Sequence, residues 1–96
     1  MSAQGSVELD FGALGSAGTN EASVNITGQT AILSTNACEA WIMREASTNH
    51  TANDQAYIAT FTSITCGVPT DGVGFTIYGT SLEKLTGKVK IRWVWA

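Results

Sequence analysis

Toward the end of the chain Lys88, Lys90 and Arg92 alternate with Val89, Ile91, Trp93 and Trp95. A period of two puts the bases on one face of an extended strand and the branched and aromatic side chains on the other. A helix cannot sort these residues in that way, because it brings together positions three and four apart. The same period recurs upstream. Val7, Leu9 and Phe11 alternate with Glu8 and Asp10, and Ala22, Val24 and Ile26 alternate with Ser23, Asn25 and Thr27. Residues 30–34 read as a short strand after a turn at Gly28. Residues 38–44 read as another, with Cys38, Ala40 and Ile42 on one face and Glu39, Trp41 and Met43 on the other. Both faces are rather apolar, which implies a central strand or one that lies under another subunit. Residues 57–66, rich in Thr and Ile and free of Pro, read as one long strand. Residues 75–78 read as a short strand ended by Gly79.

Glycine-rich turns at 12–20 and 67–74, and the pair Thr86-Gly87, separate these runs. Their number and spacing predict an all-β fold, a single β-sandwich or small barrel of about 7–8 antiparallel strands. The helical signal is confined to residues 46–56, with Asn53 or Asp54 as N-cap. The Thr-rich continuation argues against a long helix. This polar excursion is long for a loop in so small a domain, and its simplest role is to reach a neighbouring subunit.

A chain of 96 residues holds one domain. Its 44% apolar content excludes a disordered chain. Charged residues make up only 14%, against roughly 25% in ordinary globular chains. Ser, Thr, Asn, Gly and Ala must therefore cover the surface. No apolar run approaches the ~20 residues of a membrane span. Residues 1–6 lack the basic and apolar regions of a secretory leader. The net charge of −3 argues against a nucleic-acid binder. Its distribution is uneven. Residues 1–83 hold eight acids and one base, a charge of −7, whereas residues 84–96 hold four bases, +4. The basic strand should lie beside acids of other strands or of another subunit.

Chemistry-bearing residues are sparse. His50 is the sole histidine and stands four residues before Asp54. A metal site needs three or four convergent ligands, so His50 reads as a solvated loop residue and no metal or cofactor is expected. Cys38 and Cys66 match no metal spacing and lie in apolar strand patterns, where thiols are inert small hydrophobes. A disulfide between them requires that strands bring them together. A Cys–His hydrolase would need one of them near His50. Trp41, Trp93 and Trp95 could form a sugar-stacking platform, but Trp93 and Trp95 share the phase of Val89 and Ile91 and read as core. Trp41 is the candidate interface anchor.

The chain carries, in order, SVELDFG at 6–12, EASV at 21–24, EAWIM at 39–43, HTAND at 50–54, TCG at 65–67, GFTIY at 74–78, LTG at 85–87 and RWVW at 92–95. Together these stretches resemble small structural proteins of tailed bacteriophages. The resemblance spans nearly the whole chain and transfers no catalytic residue. It implies a non-enzymatic virion protein, made in the host cytoplasm, most simply a decoration or cement protein on the head. It would bind the major capsid protein or another virion protein, as a homo-oligomer, with no nucleic-acid or membrane partner. The expected contact surface is Trp41, Met43, His50 and Asn53, with Lys88, Lys90 and Arg92 meeting acidic neighbours. Alternatives are a tail or fibre component and a carbohydrate-binding module.

Overall fold

The C-terminal alternation becomes strand β6 (Lys88–Trp95) in the computed structural model, which describes residues 2–96. Met1, part of the segment inspected for a leader, lies outside the described residues. In chain order β6 follows β1 (Ala3–Asp10), β2 (Thr19–Ile26), β3 (Cys38–Ile42), helix α1 (Ala52–Ala59), β4 (Thr62–Cys66) and β5 (Phe75–Leu85). The six strands form two three-stranded antiparallel sheets, ordered β1-β6-β3 and β2-β5-β4. The all-β expectation holds, with six strands instead of seven or eight. The architecture is a two-sheet sandwich and not a closed barrel. Margins β1 and β2 touch, as do β3 and β4, but no ladder joins the sheets.

The core fills the space between the inner faces. Val89, Ile91, Trp93 and Trp95 of β6 meet Leu9, Phe11, Ile26, Phe75 and Ile77 there. Phe75 and Trp93 pack edge to face, with ring centroids 5.6 Å apart at 77°. Both tryptophans of β6 are buried, as their phase required. The Trp95 indole donates to Gln29 Oε1 at 3.0 Å, so its polar edge is satisfied in place.

Five sequence expectations are corrected by tertiary context. Residues 30–34 form turns and not a strand. Only Ile32 is apolar and buried there. It plugs the sandwich while single hydrogen bonds tie the segment to the 70–74 loop, Gln29 N–H to the Val73 carbonyl and Gly72 N–H to the Ile32 carbonyl, both at 2.9 Å. The long strand at 57–66 is divided, because α1 takes its first residues. Thr51, not Asn53 or Asp54, is the N-cap. Its hydroxyl accepts from Asp54 N–H while Asp54 accepts from Thr51 N–H, a reciprocal box that nucleates the helix. Thr60 closes it by donating to the Tyr57 carbonyl at 2.6 Å.

Gly79 does not end a strand. β5 runs straight through it, and a Cβ there would lie 2.8 Å from Leu9 Cδ1 and 3.1 Å from Phe11 Cζ. The missing side chain lets the opposite sheet approach. The true turn is at Gly87, whose φ of +79° suits glycine and carries the chain from one sheet to the other. Finally, β3 is not central. It pairs only with β6 and forms a sheet margin, so its apolar outer face is left to another explanation.

Candidate interaction surface

Register fixes what surrounds the basic strand. On the outer face Lys88 stands opposite Asp10, Lys90 opposite Glu8, and Arg92 between Ser6 and Trp41. The chain leaving β3 folds back over this face and adds Glu45. Its carboxylate takes Arg92 in a bidentate grip at 2.8 and 2.9 Å and lies 3.9 Å from Lys90 Nζ. Of the two settings open to the basic residues, acids of the same chain are the one observed. The Arg92 hydrogen bonds hold the Glu45 carboxyl below its ordinary range. Glu8 is lowered as well, first by the Thr48 N–H and then by the Thr48 hydroxyl, both at 2.7 Å, with Lys88 and Lys90 adding to the effect.

The excursion at 46–56 is docked and does not project as an arm. β3 ends at Ile42, so the backbone groups of Lys88 and Lys90 that face its side have no strand partner. Side chains complete the ladder. Fully buried Gln55 donates to the Lys90 carbonyl at 2.9 Å and accepts from the Lys90 N–H at 3.0 Å, with a second donation to the Met43 carbonyl at 3.2 Å. One rung further, Asn49 Oδ1 accepts from the Lys88 N–H at 2.8 Å and the Ser47 hydroxyl donates to the Lys88 carbonyl at 2.6 Å. Unpaired backbone groups at such a position would cost free energy, which explains why this polar segment folds inward.

His50 belongs to the same clasp and is not solvated. Its Nε2 lies 2.8 Å from the Thr86 carbonyl, and since a carbonyl only accepts, Nε2 carries the hydrogen. Nδ1 then faces Asp54 at 3.7 Å. His50 therefore pins the loop to the β5–β6 turn and offers little surface to a partner. Asn53, the next residue expected at an interface, is exposed on α1.

Large apolar side chains are exposed at several places on the surface, Leu14, Leu33, Val68 and Leu82 among them, and one group lies at the β3 margin. Trp41, on the outer face of β3, is 39% exposed, and Met43, just beyond the end of that strand, 42%. One shallow dent is bounded by Gln4, Gly5, Trp41, Met43 and Arg92, with Trp93 beneath it. Gly5 lets the Trp93 indole lie against its backbone, since a Cβ would sit 2.6 Å from Trp93 Cζ2. A second dent, between the sheet margins, adds Ala59 and Ile64 to Trp41. A third gathers Arg44, Asn53 and Tyr57, the last 73% exposed. Among the described residues Arg44 makes no ion pair. Trp, Tyr, Met and Arg are the residue types enriched at protein interfaces. Sequence reasoning misses both Tyr57 and Arg44, because a strand over 57–66 absorbs Tyr57 and a strand over 38–44 absorbs Arg44. The Thr51-x-x-Asp54 box was the signal that would have placed Tyr57 on a helix.

Other groups are dispersed. Cys38 and Cys66 sit at the end of the sandwich where β6 finishes, whereas His50 contacts Thr86 at the other end. The length of β6, about 23 Å at the usual strand rise, separates them, so no Cys–His pair is assembled. No group of three potential metal ligands occurs among the described residues. No helix among them is long and apolar enough to cross a membrane. Comparison with protein-family models, with curated proteins and with solved structures finds no match to this chain.

Proposed function

We propose that the chain is a non-enzymatic structural protein of a tailed-phage virion, a decoration protein that seats on the assembled head. The observation that carries this reading is the exposed Trp41 of the margin strand with Met43 just beyond it, flanked by Tyr57 and Arg44. Such a margin, left open in a small β-domain, is the part of a sheet that needs a cover. A major capsid protein would supply it, with copies of the chain grouped at local symmetry axes. Binding only the assembled shell stabilises the shell by mass action. Lys88, Lys90 and Arg92 play a smaller part in this reading than the sequence implied, because Glu8, Asp10 and Glu45 already accompany them. The tryptophan platform of a sugar-binding reading is not assembled, because Trp93 and Trp95 are core residues and Trp41 is the one tryptophan left at the surface.

The test is add-back. Purified chain is mixed with heads of the encoding phage that have been stripped of accessory proteins, and co-sedimentation and heat resistance are measured. Binding with raised heat resistance is expected, and Trp41→Ala should weaken it by roughly 30-fold. Leu82→Ala, an exposed residue of the other sheet, should leave it unchanged. Attachment to tails alone, or a sugar-dependent change in Trp fluorescence without head binding, would replace this reading by one of the two alternatives.

A further inference from the structure

We propose that Cys38 and Cys66 form an oxidation site, a thiol pair that closes into a disulfide and staples the two sheets along the β3–β4 margin. The topology brings them together. β5 and β6 run in opposite directions and each pairs antiparallel with its neighbour, so β3 and β4 also run in opposite directions along the margin they share. Cys38 is the first residue of β3 and Cys66 the last of β4, which places both at the same end. Their ladder partners are Trp95 and Ile77, both core residues, and both cysteines pack against the core cluster. Both are half-buried free thiols. Burial raises both, Cys66 to about 11, and the charge of Cys38 is felt at Cys66, as expected of close neighbours.

The chemistry is ordinary exchange with a small-molecule disulfide. The Cys38 thiolate attacks one sulfur of the oxidant and releases a thiolate. The Cys66 thiolate then attacks the Cys38 sulfur and releases the second. Two S–H bonds are lost, one S–S bond forms, and the oxidant leaves as two thiols. Because both thiols are raised, the thiolate fraction at neutral pH is small and the exchange is speeded by alkaline pH. The bridge would cross the margin where no ladder hydrogen bond ties one sheet to the other, and it would close a loop over residues 39–65. Loop closure of this length restricts the unfolded chain appreciably. The proposal is independent of the virion reading.

The experiment treats the purified full chain with oxidised glutathione at mildly alkaline pH, then with iodoacetamide, and records the intact mass and the thermal midpoint. The expected product has lost two hydrogens, carries no alkyl group, and yields a linked peptide containing both cysteines. Its midpoint should rise by roughly 10 °C and return on reduction. Cys38→Ser and Cys66→Ser should each abolish the oxidant-dependent rise. If either variant fails to fold, the mass of the wild-type product decides. Glutathione retained on the separate thiols, alkylation of both, disulfide-linked dimers, or a bridge that lowers the midpoint would each overturn the proposal.

Discussion

The carboxamide of Gln55 presents a donor and an acceptor to Lys90 in the order that a further residue of β3 would have done. A glutamine fits because its side chain carries both functions on one planar group. Gln55→Leu keeps much of the volume and removes both bonds, leaving the N–H and carbonyl of Lys90 unpaired under α1. The expected cost is about 2–4 kcal/mol, read as a lower midpoint in urea unfolding. A change within a few tenths would mean that water replaces the amide. None of this was visible in sequence, where Gln55 is one polar residue in a polar run. Its role depends on the chain leaving β3 one residue after Ile42, and a long-range event of that kind has no local pattern. Trp93 and Trp95 are the opposite case, since their phase with Val89 and Ile91 determined their burial.

β5 and α1 show where local punctuation misleads. Gly79 and Gly87 look alike in sequence, yet one lies within an eleven-residue strand and the other makes the turn. What distinguishes them is the opposite sheet, since Leu9 and Phe11 claim the space above Gly79. Gly79→Val should therefore destabilise the protein by about 2 kcal/mol or more despite the high strand preference of Val, as chemical denaturation would show. A neutral or stabilising result would mean that Leu9 and Phe11 can move aside. Strand identity was readable for β1, β2, β3 and β6, where period two extends over several residues. It failed at 30–34, where one buried Ile32 carries the signal, and at 57–59, where a capping box outweighs Thr and Ile content.

Charge operates over the whole sandwich. The excess of acid before residue 84 and of base after it looked like a polarity of the chain, but folding lays Glu8, Asp10 and Glu45 over Lys88, Lys90 and Arg92. Glu8 and Glu45 are both held below the ordinary carboxylate range in the folded protein, by the Thr48 hydrogen bonds and by Arg92. The unfolded chain therefore binds more protons in acid, and stability rises with pH through this window. Their contribution is present above about pH 4.5 and is lost as pH falls through the lower folded values. The thermal midpoint should drop as pH falls below about 4.5, and Glu8→Gln should flatten the drop. An equal slope in that variant would exclude Glu8 from the effect. The all-β class was readable from periodicity, while the pairing of the strands was not, because register is set between segments that sequence leaves unrelated. That pairing has a consequence in time. Ala3 is matched with Trp95, and β2 with β5, so a ribosome must make β6 before β1 has a strand to hydrogen-bond with. Until then the nascent chain holds its apolar strand faces open, and its folding is held back by synthesis as well as by the slow search that such distant contacts require.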